Sequence, residues 1–142
     1  MITPDDSGYV ITGSDTDVGT TYIACEIVRQ LRQLDFGIET RKPVESGCEV
    51  SATGELVTHD AAALQAANNH AETIERIAPY RYRAALAPHR AARLEQQQVY
   101  LESLVDACSR DHAEHRLIVE GAGGFYSPLA ENGLNADLAS TL

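Results

Sequence analysis

The sequence predicts an α/β fold in which a parallel sheet carries helices on both faces, and three observations predict it. Tyr9-Val10-Ile11 is a short apolar run that ends in a polar, Gly-bounded loop and then a segment of helical periodicity. Ile38 to Arg41 is a second extended run, stopped by Pro43. Arg116-Leu117-Ile118-Val119-Glu120 is a third, ending in an acid and followed by Gly121-Ala122-Gly123-Gly124. Strands separated by helices return in the same direction, so their C-terminal ends share one edge of the sheet, where ligands bind.

The first helix is expected from Thr20 to about Leu34, because Ile23, Ile27, Val28, Leu31 and Leu34 recur at helical spacing and Gly37 then stops it. Glu45 to Val57 is rich in Ser, Gly, Glu and Thr and reads as loop. Asp60 is positioned to cap a helix running through Ala61-Ala62-Ala63-Leu64 to about Ala67. Ala78 to Pro88 has no clean period. Tyr100 to about His112 is amphipathic, with Leu101, Leu104, Val105 and Cys108 on one face. Gly121 to Gly124 is expected to break the third strand, and Asp137 to Leu142 to begin a helix. The whole chain, 1–142, is long enough for one domain.

The net charge of -10 argues against nucleic-acid binding, which needs clustered Lys and Arg. No apolar run approaches the roughly 20 residues of a membrane helix. Met1-Ile2-Thr3-Pro4-Asp5-Asp6 lacks the basic start of a leader, so a soluble cytoplasmic protein is expected. Cys25, Cys48 and Cys108 are too dispersed for a zinc pattern. Cys25 and Cys108 read as small core residues, and Cys48 as an incidental loop thiol.

The loop Gly13-Ser14-Asp15-Thr16-Asp17-Val18-Gly19-Thr20-Thr21 between a strand and a helix is what a phosphate cradle needs. The helix start offers unpaired N–H groups and a partial positive charge. Gly19 allows close backbone approach, and a hydroxyl at Thr21 can join a magnesium shell. Thr20, however, stands where a phosphate loop carries Lys, the point charge that reaches the terminal phosphates. A plain Gly-bounded turn is the competing reading of the loop alone. Glu120, at the end of an apolar strand, has the position of an acid that completes a magnesium site. Lys42 follows the second strand and is the sole lysine of the chain. Asp60 is either a helix cap or a second magnesium carboxylate. His59-Asp60 as a metal-phosphohydrolase pair is disfavoured, because the other histidines show no ligand spacing.

In this order the blocks Gly13–Thr21, Lys42-Pro43-Val44-Glu45-Ser46-Gly47, Asp60 ahead of Ala63-Leu64-Gln65, Ala87–Ala92 and Val119–Gly124, followed by Pro128-Leu129 and Ala136-Asp137, resemble the dethiobiotin synthetase family of P-loop NTPases. The resemblance spans essentially the whole chain. It implies a P-loop NTPase-like sheet and an Mg-ATP-dependent ligase that closes a ureido ring from 7,8-diaminononanoate and CO2. It further implies that Thr16, Lys42 and Ser46 hold the carbamate and the transferring phosphoryl group, with Asp17 near the attacking amine. Thr21, Asp60 and Glu120 would hold Mg2+. Gly19, Thr20, Thr21, Glu120, Gly121 and Gly123 would border the ATP, and the protein would be a homodimer.

Two departures qualify this. Thr20 replaces the family's loop lysine, which predicts reduced or absent turnover. Family members also continue well past the position of Leu142, so the chain reads as the N-terminal part of the family fold, apparently truncated at its C-terminus. The alternative to a ligase is therefore a non-catalytic remnant or one subunit of a split protein. An amidotransferase-type synthetase for a cobalamin precursor shares the loop style, but no glutaminase region with its nucleophilic Cys is visible. A partitioning ATPase is disfavoured by the acidic charge.

Overall fold

The computed structural model describes residues 7–142. The expectation that residues 1–6 hold no leader lies outside them. Along the chain run β1 (Gly8–Gly13), α1 (Thr20–Gln33), β2 (Ile38–Arg41), β3 (Val44–Glu45), β4 (Glu49–Val50), β5 (Leu56–Val57), α2 (Asp60–Ala67), α3 (Ile74–Ile77), β6 (Tyr80–Arg81), α4 (Pro88–Leu94), α5 (Leu101–Ala107), β7 (Arg116–Gly124), β8 (Pro128–Ala130), β9 (Gly133–Leu134) and α6 (Asn135–Thr141).

The principal sheet has the order β1-β7-β2 and is parallel throughout. Ile11 pairs with Glu120, and Arg41 with Val119. Lys42 thus leaves β2 level with Glu120, and both lie at the end of the sheet to which β1 delivers Gly13.

Side chains alternate across this sheet as period two requires. Tyr9, Ile11, Ile38 and Ile118 pack with α1, α2 and α3 in one core. Val10, Leu117 and Val119 pack with residues of α4, α5 and α6 in the other. The expectation of a parallel sheet with helices on both faces is borne out.

Several boundaries differ from those expected. β7 does not break at Gly121 but continues through Gly124. The buried Asn135 holds it extended: its Oδ1 accepts the Ala122 N–H at 3.0 Å, and its Nδ2 donates to the carbonyls of Ala122, Gly124 and Ser127. In α1 the buried face is Ala24, Cys25, Val28 and Leu31, while Ile23 and Leu34 are exposed. The segment from Glu45 to Val57 is not all loop: β3 pairs with β6, and β4 and β5 form a small antiparallel pair.

α5 stops at Ala107 rather than near His112, because the backbone N–H groups of Asp111 and His112 turn to the buried Glu39 carboxylate. α6 begins at Asn135, and Asp137 in its first turn accepts the Leu134 N–H at 2.8 Å. Cys25 and Cys108 are buried as expected. Cys48 lies in the loop between β3 and β4, as expected, but it is buried there, its Sγ 3.6 Å from the Glu45 carbonyl. α3 and α4 were not expected.

Candidate functional site

Gly19 ends the loop after β1 in the left-handed conformation, at φ 96°. No atom crowds it, so conformation rather than space is what requires glycine there. Among the described residues no side chain caps the start of α1, which leaves its first turn facing the cavity. Asp17 takes a left-handed φ of 57° within the same loop, a conformation Asp tolerates better than most residues.

The chemistry gathers at the strand ends. Lys42 Nζ donates to Glu120 Oε1 at 3.0 Å and to the Gly121 carbonyl at 2.8 Å, and lies 2.8 Å from Asp60 Oδ2. Thr21 Oγ1 donates to the same Glu120 Oε1 at 2.6 Å. Glu120 Oε2 is buried and has no hydrogen bond among the described residues.

Burial pulls the Lys42 ammonium towards neutrality, but Glu120 and Asp60 outweigh it and hold its pKa above the ordinary value. Burial pushes Asp60 up, yet Lys42 and the Thr21 hydroxyl leave it below the usual carboxylate range. Glu120 is raised, because its burial exceeds what Lys42 and Thr21 return.

Asp60 reaches this cluster because it does not cap α2. That task falls to Glu45, whose Oε1 accepts the N–H groups of His59 (2.7 Å) and Asp60 (2.9 Å), and whose Oε2 accepts that of Ala61 (3.0 Å). A buried carboxylate from β3 therefore satisfies the helix start and complements its dipole. The capping role expected of Asp60 is corrected: Asp60 is the first helical residue and its carboxylate faces Lys42.

A cavity of about 700 Å³ opens over the cluster. Every residue singled out from the sequence lines it: Thr16, Asp17, Gly19, Thr20 and Thr21 on the loop side, Lys42, Ser46 and Asp60 opposite, and Glu120, Gly121 and Gly123 along the floor. Ser46 Oγ donates to the Leu86 carbonyl at 2.7 Å, tying the β3 end to the rim formed by 85–88. Thr20 packs its hydroxyl over Gly13, where an added Cβ would come within 2.8 Å of it.

Two residues of structural weight escaped the sequence reading. Glu45 sat in plain view inside Lys42–Gly47, but nothing local reveals that it caps a helix fifteen residues on. Asn135 gave no signal at all. Its contact explains Gly121, where an added Cβ would lie 2.4 Å from Asn135 Oδ1.

The donor set suits a hard divalent cation. It offers two carboxylates and a hydroxyl, with one buried carboxylate oxygen unengaged. A parallel α/β sheet that brings a glycine-bounded loop, a helix start, a lysine and a buried acid of the central strand to one cavity is the P-loop class of nucleotide-binding fold. Within that class the chain belongs to the AAA domain family, whose model matches residues 7–142.

The chain is similar to proteins named ATP-dependent dethiobiotin synthetase. It is 38% identical over 135 residues to the one from Rhodopirellula baltica, covering 92% of this chain and 52% of the relative. It is 41% identical over 136 residues to that of Anaeromyxobacter dehalogenans strain 2CP-1, covering 95% and 59%. For Anaeromyxobacter sp. strain Fw109-5 the identity is 43% over 136 residues, with the same coverage. The resemblance to the dethiobiotin synthetase family is borne out. The chain spans a little over half the length of these curated relatives. No helix among the described residues is long and apolar enough to cross a membrane.

Proposed function

We propose that this chain is the nucleotide- and carbamate-handling part of a dethiobiotin synthetase-type ligase. The observation that carries the reading is the meeting of Lys42, Asp60, Thr21 and Glu120 beneath the start of α1. The overall reaction captures CO2 on one amine of 7,8-diaminononanoate as a carbamate, with loss of a proton. A carbamate oxygen takes the γ-phosphoryl group of ATP and ADP leaves. The second amine then attacks the carbonyl, expels phosphate, and closes the ring.

In this chain the start of α1 and the loop through Gly19 bind ATP phosphates by backbone N–H groups. Thr21, Asp60 and Glu120 hold Mg2+, which when bound neutralises charge on the phosphates. Lys42, Thr16 and Ser46 orient the carbamate beside the transferring group, and Asp17 lies on the side of the incoming amine. Lys42 and Glu120 are buried, which strengthens their interactions with charged groups.

Lys42 has a double part. It now neutralises the two carboxylates that would hold the cation, and it is the chain's sole lysine. With Asp60 and Glu120 holding Mg2+, Lys42 would be free to face the phosphates and would supply part of the charge that Thr20 lacks. Without a lysine at position 20, turnover is slow. Residues 1–142 acting as a single domain, assembly as a homodimer and a cytoplasmic location belong to the same proposal and rest on the family resemblance.

A second reading, a non-catalytic remnant or one subunit of a split protein, is favoured by Thr20. Calorimetric titration with Mg-ATP and then with 7,8-diaminononanoate tests the first reading, followed by an assay for dethiobiotin. Binding of both with product formation supports a ligase, and binding without product supports the remnant. If Mg-ATP does not bind, the ligase reading fails and the second reading is left.

A further inference from the structure

At the opposite end of the sheet from the cavity, Glu39 of β2 lies beside the turn that leads into β7. We propose that Glu39, His112 and His115 form a site for a divalent transition metal of the zinc type. One ligand atom from each of the three lies within 4.8 Å of the others. His115 Nδ1 stands 3.4 Å from Glu39 Oε1. Bonds of about 2.0–2.2 Å in a tetrahedral site separate neighbouring ligand atoms by roughly this distance. His115 Nδ1 is also buried without a hydrogen bond among the described residues, so its lone pair or proton is uncommitted. The His112 and His115 rings lie with centroids 4.5 Å apart.

The carboxylate is held ready. Glu39 is 2% exposed, its Oε2 accepting from Arg41 and from the Asp111 N–H, both at 2.8 Å, and its Oε1 from the His112 N–H at 2.7 Å. Burial alone would protonate this group, but the two N–H donors and Arg41 keep its pKa below the ordinary value. Those donors fix the carboxylate as outer partners fix a metal ligand. Oε1 keeps a second lone pair on the side of His115. The His115 ring is seated against Gly37, where a Cβ would approach its Cδ2 to 2.2 Å. Glycine at 37 thus holds room for the imidazole, whereas the first helix already stops at Gln33, with Asp35 in the left-handed conformation at φ 62°.

Two imidazoles and one carboxylate are a zinc-type donor set that leaves a position to solvent, on the side of the exposed His112. Imidazole nitrogen selects zinc, copper or nickel over magnesium. The neighbouring trio of Glu39, Glu72 and Asp111 is not the site, because the Arg41 guanidinium already pairs with all three carboxylates. The proposal is independent of the nucleotide cavity.

The test titrates the metal-free full chain with Zn2+ by calorimetry and with Co2+ by absorption spectroscopy. One equivalent is expected to bind, with a Co2+ spectrum of low-symmetry nitrogen and oxygen ligation. His112→Ala with His115→Ala should lose at least about 100-fold in affinity, since even outer partners cost 10- to 100-fold. His112→Ala alone, an exposed change that leaves the fold intact, should weaken binding by about tenfold or more. The absence of Zn2+ binding to the parent chain overturns the site. So does binding of equal strength in the double variant, the metal then residing on Asp60 and Glu120.

Discussion

Lys42 and Glu120, seventy-eight residues apart, meet at 3.0 Å because the parallel register of β2 on β7 brings the residue after β2 level with the middle of β7. Asp60 completes the arrangement at 2.8 Å from the same nitrogen. An ammonium group inside a pair of carboxylates stands where the proposed divalent cation would bind, so under that proposal the two compete.

Replacing Lys42 exposes that competition. Lys42→Met leaves two carboxylates near each other without a counter-charge, which should destabilise the protein by about 3–5 kcal/mol. Mg2+ should restore part of this loss, so the variant's melting temperature rises on adding MgCl2 much more than the parent's does. Affinity for Mg2+ without nucleotide should increase by about tenfold or more, equivalent to about 1.4 kcal/mol. Affinity for ATP should fall. Equal responses to Mg2+ in parent and variant would show that Lys42 does not occupy the cation site.

Thr20→Lys tests the other half of the relationship. With a lysine at the start of α1, Lys42 no longer has to serve both the carboxylates and the phosphates. Mg-ATP affinity or ring-closing turnover should rise, turnover by roughly 10²- to 10⁴-fold if the charge acts in a water-excluded site. A folded variant that improves in neither respect refutes the phosphate-loop reading of Gly13 to Thr21.

The candidate residues were legible in the sequence because strand ends in a parallel sheet converge whatever the lengths between them. Three apolar runs, each followed by a chemically marked residue, sufficed to bring Gly19, Lys42 and Glu120 to one cavity. What was not legible rests on long-range pairing of single side chains. Glu45 caps α2 from β3, Asn135 keeps the glycine run extended, and Glu39 ends α5 early by taking two backbone N–H groups. None of these leaves a periodic trace, and glycine's local preference to break a strand was overridden by Asn135. Thr73, whose side chain caps α3, and Pro88, which opens α4, are ordinary helix-start signals. Those two helices are four and seven residues long, too short to show a period.

Glu45 should matter for stability and for the site together. Glu45→Ala removes the acceptors of three backbone N–H groups, at a cost of about 2–3 kcal/mol. It also frees the start of α2, and with it Asp60. The denaturation midpoint should fall, and Mg2+ affinity should fall with it. Glu45→Gln, which keeps one carbonyl acceptor, should lie between. A Glu45→Ala variant with the parent's midpoint would show that the capping contacts contribute nothing net.

Gly121 and Asn135 should be coupled. Gly121→Ala drives a Cβ to 2.4 Å from Asn135 Oδ1, a collision worth about 1–3 kcal/mol. Asn135→Ala loses the bonds that hold β7 but removes the obstacle. The double variant should therefore be less destabilised than the sum of the two singles, by more than about 0.5 kcal/mol. Strict additivity in chemical denaturation would show that the two side chains do not meet.

The buried thiols provide a pH test with a defined sign. Burial first, then the Glu45 carboxylate, pushes Cys48 up to about 11, and burial pushes Cys108 up to about 12. In the unfolded chain both ionise near the ordinary thiol value of 9.0. The folded protein therefore retains protons that the unfolded chain releases. Their contribution to stability is fully present below about pH 9 and declines as pH rises towards 11 and 12. Iodoacetamide reacts with thiolate, so at pH 8 the folded chain should resist alkylation at Cys48 and Cys108, and labelling should follow the unfolding transition in denaturant. Cys48→Ala identifies which labelled peptide is which. Alkylation of Cys48 in the folded protein at the rate of a free thiol would place that sulfur in solvent, and would undo the burial on which the sign depends.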